Sequence, residues 1–168
     1  VGVVRSIRPT ELRVVHPWEG EVPPELQERW RTFSMGAPRL EPLVLGRDSL
    51  LDALRRYVRR VERGPSDFVN VVIPEVVSGS MLGYLLRGAG LVRLKAGLLR
   101  EENIVVTDVP VLVQDGRPIG VDALPLVPER TVVLAFVSGV NDATIRAANY
   151  AETLGAAETR AIYFDLDP

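Results

Sequence analysis

Residues 67–74 read Asp-Phe-Val-Asn-Val-Val-Ile-Pro, and residues 103–110 read Asn-Ile-Val-Val-Thr-Asp-Val-Pro. Each stretch contains a short apolar run rich in β-branched residues, Phe68–Ile73 and Ile104–Val109. Runs of this kind are typical of strands that are buried on both faces of a parallel sheet. Apolar residues at helical spacing fill the segment between them. The stretch therefore predicts a right-handed βαβ unit at the centre of a doubly wound sheet.

The rest of the chain alternates strands and helices around this unit. Proline in the first turn marks a helix that begins at Pro23, and Asp48 is the predicted N-cap of the next helix. Another helix is capped by Asn141 or Asp142. Strands are predicted at residues 11–16, 40–45, 132–137 and 160–164. This alternation predicts an α/β fold of three layers with a doubly wound, mostly parallel sheet.

The two ends of the chain resemble each other, because Ser6–His16 aligns without gaps on Thr153–Tyr163. We therefore interpret residues 1–113 as the main α/β domain, which lacks its first strand. Residues 114–130 are punctuated by proline and glycine and are predicted to form a linker. Residues 131–168 form a β-α-β unit that either completes the sheet or starts a second copy, so the segments are in permuted or tandem order.

This order predicts an unusual pairing of strands. Residues 132–137 fit the centre of the sheet, between the strands at 11–16 and 68–73. The strand predicted at 160–164 cannot then take its normal position, because the strand at 11–16 occupies it. It therefore joins a sheet edge, pairs with another chain or belongs to a swapped neighbouring domain. Of these alternatives we favour pairing between chains, which predicts a homodimer or a strand-exchanged oligomer.

Composition excludes several classes of function. The 168 residues carry a formal charge of −2 and contain no cysteine and one histidine. A chain without a basic excess is not typical of nucleic-acid binding, and the absence of cysteine excludes disulfides and thiolate metal sites. We therefore expect no nucleic-acid partner and no metal site. Apolar stretches fall short of the ~18 residues that a membrane span needs, and a start at Val1 instead of Met suggests a piece of a longer protein.

Arginine dominates the basic residues, since only Lys95 of the 20 is a lysine. The helix predicted after Asp48 carries five arginines on the face opposite its apolar positions: Arg55, Arg56, Arg59, Arg60 and Arg63. A solvated face is the ordinary role of such a row, and an anion-binding groove is the alternative.

Three segments carry a resemblance to a known family. Phe68–Glu75, Leu91–Leu99 and Asn103–Pro110 resemble one half of the cytosolic domain that follows the transmembrane helices of bacterial amino acid permease-like proteins. These proteins belong to the amino acid–polyamine–organocation superfamily and include potassium importers. Thr131–Ala151 resembles the other half of that domain, which normally comes first.

The resemblance implies a universal-stress-protein-like fold, of the adenine nucleotide alpha hydrolase type, with five parallel strands in the order 3-2-1-4-5. It also implies a non-enzymatic, cytosolic regulatory or assembly domain of a permease-like membrane transporter. The location implied is cytoplasmic, and in the parent protein the inner face of the cell membrane.

A soluble nucleotide- or cyclic-dinucleotide-binding stress sensor is the alternative function. Its candidate ligands are ATP and cyclic di-AMP, which regulates the potassium importers of the group. The glycine loop of ATP-binding relatives is not reproduced, because Gly79 and Gly83 have the wrong spacing. Six residues nevertheless fall where strands end and helices begin, a place that favours anions. The candidate ligand-binding residues are Ser78, Gly79, Ser80, Ser138, Gly139 and Asn141.

Overall fold

The computed structural model describes residues 4, 6–34, 36, 38–78, 81–114, 117–118 and 130–163. The chain divides into two compact units. Unit 1 comprises Val1–Glu11 and Asp122–Pro168, and unit 2 comprises Leu12–Val121. The fold is mixed α/β with parallel strand pairs.

Unit 2 contains three helices and five strands among its described residues. The helices are α1 (Pro24–Ser34), α2 (Leu50–Arg60) and α3 (Met81–Leu98). The strands are β1 (Val14–Pro17), β2 (Leu40–Leu43), β3 (Val69–Ser78), β4 (Ile104–Gln114) and β5 (Arg117–Pro118). The strands predicted at 11–16, 40–45, 68–73 and 104–109 are all present, and β3 and β4 extend beyond their predicted ends.

Two sheets of unit 2 share one core. Strand β1 pairs in parallel with β2, and β3 pairs in parallel with β4, to which the short β5 adds antiparallel. Helices α2 and α3 pack on each other, with α2 against β2 and α3 against β3 and β4. The buried side chains at this junction are Leu43, Ala53, Leu54, Val58, Leu94, Leu98 and Ile104. Apolar burial on one helix face thus joins the two sheets.

The N-cap of α2 corrects a prediction. Ser49, not Asp48, is the cap, because the Ser49 hydroxyl oxygen accepts a hydrogen bond from the Asp52 backbone N–H at 3.2 Å. Asp48 instead forms an ion pair with Arg56. Both residue types are good caps, so the sequence alone did not separate the two neighbouring positions.

Both prolines inside the β3–β4 ladder leave its hydrogen bonds intact. The Val69 N–H donates to the Asn103 carbonyl at 3.0 Å. Because successive residues of a strand point their N–H groups to opposite sides, Ile73 also points towards β4, and Pro74 points away from it. Pro110, by the same alternation, points away from β3. Each proline therefore lies where it removes no bond of this ladder.

Unit 1 contains β6 (Val132–Val137), helix α4 (Asp142–Thr153) and β7 (Glu158–Tyr163). Strands β6 and β7 are parallel, with Phe136 opposite Ile162. The predicted strand at 132–137 is confirmed, and of the two predicted caps, Asn141 and Asp142, the N-cap of α4 is Asn141. Helix α4 packs on one face of β6. The other face leaves Leu134 49% and Phe136 66% exposed.

The aligned ends of the chain share local backbone structure. The Ile7 N–H donates to the Val4 carbonyl at 3.3 Å, and the Leu154 N–H donates to the Ala151 carbonyl at 3.4 Å. The next residue is left-handed in both cases, with φ of 49° at Arg8 and 59° at Gly155. A left-handed residue directly after a helix is a common helix ending, and glycine adopts it without strain. The two segments therefore end their helices in the same way.

A single continuous sheet is not formed by the described residues. The strands form three separate sheets, β1–β2, β3–β4–β5 and β6–β7. Each of β1, β3 and β6 therefore has a hydrogen-bonded neighbour along one edge only within the described part of the chain. The doubly wound, universal-stress-protein-like sheet remains a prediction.

Candidate functional site

The predicted loop at the end of β6 is closed by its own hydrogen bonds. The Asn141 side-chain oxygen accepts from the Thr144 N–H at 3.0 Å, and the Thr144 hydroxyl donates to the Gly139 carbonyl at 2.6 Å. Ser138 and Asn141 are exposed and Gly139 is half-buried. Asn141 therefore has a capping role, and the α4 N-terminus stands at the edge where β6 and β7 both end.

The other half of the predicted ligand site is described only in part. Ser78 is the last residue of β3, where it lies opposite Val113 in the parallel ladder. Gly79 and Ser80 lie outside the described residues. Ser78 thus occupies the carboxyl end of a parallel strand, as predicted, and a ligand role for the six residues remains a prediction.

Unit 2 contains an ionic cluster that the sequence analysis missed. The Lys95 ammonium of α3 lies 2.8 Å from the Glu75 carboxylate of β3 and 2.9 Å from the Asp108 carboxylate of β4. The Lys95 and Glu75 side chains are only 19% and 13% exposed. Both carboxylates lie on the side of the β3–β4 sheet that α3 covers. The cluster therefore links helix α3 to both strands.

The chemistry of Lys95 is that of a permanent cation. Hydrogen bonds from its ammonium to Glu75 and then Asp108 raise its pKa above the ordinary value. A lysine that acts as a base or a Schiff-base nucleophile needs a lowered pKa. The arrangement consequently favours a structural ion cluster over catalysis by this lysine.

A second ionic cluster lies where α2 ends. Arg59 donates two hydrogen bonds to the Glu101 carboxylate, from Nε at 2.8 Å and from Nη2 at 2.9 Å. Arg55 approaches the same carboxylate, with Nε 3.2 Å from Oε1. Two members of the predicted arginine face are thus bound to one acid, so the face is not simply solvated.

Polar and aromatic groups also meet near the carboxyl ends of β1 and β2. The Tyr57 hydroxyl donates to Glu41 at 2.6 Å, and burial together with this bond raises the pKa of Tyr57. His16 stacks on Trp18 with ring centroids 6.0 Å apart. Tyr57 therefore stays a neutral donor near pH 7 and orders this corner of unit 2.

Searches for two other kinds of site are negative in the described residues. Histidine, aspartate and glutamate side chains form no group of three or more that is suited to a metal ion there. No helix in that part of the chain is long and apolar enough to cross a membrane.

Sequence reasoning missed both ionic clusters because their members are far apart in the chain. The available signals were Lys95 as the only lysine for the first cluster and the row of arginines on α2 for the second. In the first cluster, Glu75 is 20 residues from Lys95. In the second cluster, Glu101 is 42 residues from Arg59. Only the parallel pairing of β3 with β4 and the packing of α2 on α3 bring these groups together.

A family model described as the KimA potassium transporter C-terminal domain matches residues 1–111. Comparison with curated proteins and with solved structures finds no match. The family match covers well over half of the 168 residues, and it confirms the expected link to a membrane transporter. On this basis the chain belongs to the KimA potassium transporter C-terminal domain family.

Proposed function

We propose that the chain is a non-enzymatic regulatory or assembly domain of a permease-like potassium transporter, situated in the cytoplasm at the inner face of the cell membrane. The family match supports the transporter. The described ionisable groups support a role without catalysis, because Lys95 and Glu101 are held in ion pairs.

The pairing of strands supports a universal-stress-protein-like fold, and this observation carries the proposal. In the order 3-2-1-4-5, the strands 3 and 2, 2 and 1, and 4 and 5 are neighbours and parallel. The structure contains three parallel pairs that fit this order: β2–β1 corresponds to strands 3 and 2, β7–β6 to strands 2 and 1, and β3–β4 to strands 4 and 5. The remaining pair joins strand 1 to strand 4, and the edge of β3 that it requires has no partner among the described strands.

We further propose that a second copy of the chain occupies that edge, which gives a homodimer or a strand-exchanged oligomer. An unpaired strand edge presents N–H and C=O groups that favour pairing with another chain. The shared helix endings at Arg8 and Gly155 support the tandem or permuted order of segments, with 114–130 as the linker and 131–168 as the additional β-α-β unit.

The edge of β3 that faces away from β4 provides the test. Because N–H directions alternate along a strand, the Val72 N–H points away from β4, to the same side as Pro74. Val72→Pro removes this donor and leaves the β3–β4 ladder complete, and Val72→Ala is the matched control. Analytical ultracentrifugation is expected to show a dimer for the wild type and for Val72→Ala, and a monomer for Val72→Pro. A wild-type chain that is monomeric at high concentration would refute the assembly role.

Potassium uptake by the full transporter tests regulation. Introducing Val72→Pro into the parent protein is expected to change the rate of potassium uptake or the regulation of that rate, whereas Val72→Ala leaves both unchanged.

Calorimetric titration of the chain with ATP and with cyclic di-AMP addresses the remaining ligand prediction at Ser138, Gly139 and Asn141. Micromolar binding of either nucleotide that is lost in Asn141→Ala would favour the sensor function.

A further inference from the structure

The arginine cluster at the end of α2 has more positive charge than its acid can neutralise. Arg59 holds the Glu101 carboxylate through a two-point fork at 2.8 and 2.9 Å. These bonds lower the pKa of Glu101, and the charges of Arg55 and Arg63 act in the same direction. Arg55 and Arg59 thus contact one carboxylate that is only 11% exposed, and the charge of Arg63 acts on the same carboxylate, so these three positive charges exceed the single negative charge by two.

Two buried donors of this cluster make no hydrogen bond of good geometry with the described residues. Arg63 Nη1 is buried and finds no hydrogen-bond partner in the described part of the chain. Arg55 Nε is also buried without a hydrogen bond of good geometry, although its ion pair with Glu101 spans 3.2 Å. A buried charged donor without an acceptor is unfavourable, because it has lost its hydrogen bonds to water and has formed none within the protein.

Packing explains only part of the cluster. The second donor of Arg55, Nη2, is satisfied by the Gly97 carbonyl of α3 at 3.1 Å. Arg59 and Arg60 lie in the last turn of α2, where cations interact favourably with the helix dipole. Arg63 lies beyond the end of the helix, so neither reason accounts for its buried N–H.

A bound oxyanion would supply the negative charge and the hydrogen-bond acceptors that the cluster lacks. A phosphate group offers several acceptor oxygens and between one and two negative charges, and the guanidinium fork matches its geometry. We propose that Arg55, Arg59 and Arg63 form a binding site for a phosphate group, with Arg63 as the main donor and Glu101 as an internal competitor. The phosphate is carried either by a free phosphate compound or by the headgroup of an anionic lipid. None of these three arginines is among the predicted ligand-binding residues, and the proposal does not depend on the proposed function.

The variants follow from these roles. Arg63→Gln removes the unsatisfied donor and should weaken phosphate binding about tenfold, as expected for one charge-assisted hydrogen bond. Glu101→Gln removes the competing charge and should strengthen binding. Arg29→Gln is the matched control, because it removes an exposed arginine from α1 and should leave binding unchanged. Urea unfolding followed by fluorescence checks that each variant keeps its fold.

Two arms of the experiment identify the source of the phosphate. Isothermal titration of the full chain with inorganic phosphate at constant ionic strength measures the free form. Cosedimentation with vesicles of phosphatidylcholine, with and without phosphatidic acid, measures the lipid form. Binding in either arm that weakens in Arg63→Gln and strengthens in Glu101→Gln supports the site. Absence of binding in both arms, or equal losses in Arg63→Gln and Arg29→Gln, overturns it.

Discussion

The close approach of α2 and α3 at Gly97 leads to a prediction about packing. A Cβ atom added at Gly97 would lie 2.6 Å from both δ-carbons of Leu51 and 3.2 Å from its γ-carbon. Ordinary van der Waals contacts begin at 3.4 Å. Gly97→Ala therefore forces the Leu51 side chain to move or the two helices to separate.

Two opposing effects set the magnitude. Overpacking of this kind typically costs about 1–3 kcal/mol. Alanine is favoured over glycine inside a helix by up to about 1 kcal/mol, and less than this applies at Gly97, which lies in the last turn of α3. The clash should win, so we expect Gly97→Ala to lower the free energy of unfolding by about 1–2 kcal/mol.

A double-mutant cycle isolates the contact. Leu51→Ala is itself destabilising because Leu51 packs against the core, but it removes all three carbons that the new methyl group meets. In that background Gly97→Ala should be neutral or slightly stabilising. The expected coupling between the two positions is therefore about 1–2 kcal/mol.

Tryptophan fluorescence during urea unfolding is the suitable measurement. The chain contains two tryptophans, Trp18 and Trp30, and both lie in unit 2 together with Gly97 and Leu51. The signal consequently reports the unfolding of this unit. A stabilising effect of Gly97→Ala in the wild-type background, or the same effect in both backgrounds, would refute the reasoning.

Three further predictions concern single residues. The pKa of Lys95 is raised in the folded state, so its contribution to stability is full below about pH 10.5 and is lost as the pH rises through the folded-state value. Lys95→Arg stays charged and should show a smaller alkaline loss in urea unfolding; parallel losses would contradict this. Arg8→Gly should stabilise unit 1 by about 1 kcal/mol in thermal unfolding, because the left-handed backbone strains any residue with a Cβ; an unchanged or lower melting temperature would count against it. Asn141→Ala should cost about 1 kcal/mol and speed hydrogen exchange of the Thr144 amide, and unaltered exchange would show that the cap is not formed.

Local patterns were sufficient for much of the fold. The β-branched runs at 69–73 and 104–109 predicted a parallel βαβ unit, and the observed register pairs Val69 with Ile104. Strand β6 has the predicted bounds 132–137. These predictions succeed because strand formation and helix capping depend mainly on neighbouring residues.

The candidate ligand residues were less accessible from the sequence. The sequence pattern correctly predicted Asn141 at the start of a helix, but in the structure the Asn141 side-chain oxygen is already bonded to the Thr144 N–H. Choosing Asp48 over Ser49 failed for a related reason, since the cap depends on which oxygen reaches the backbone N–H. Residue type alone does not show which side-chain oxygen reaches the backbone N–H.

The amino-acid sequence alone thus determined the alternation of strands and helices, the parallel β3–β4 pair and the family to which the chain belongs. The tertiary structure alone decided where charges meet, because Lys95 reaches Glu75 and Asp108, and Arg59 reaches Glu101, only after the helices pack. It also decided which strands pair with each other, since pairing joins strands that are distant in the sequence. Interactions between distant residues depend on chain topology, and for this reason no local pattern predicts them.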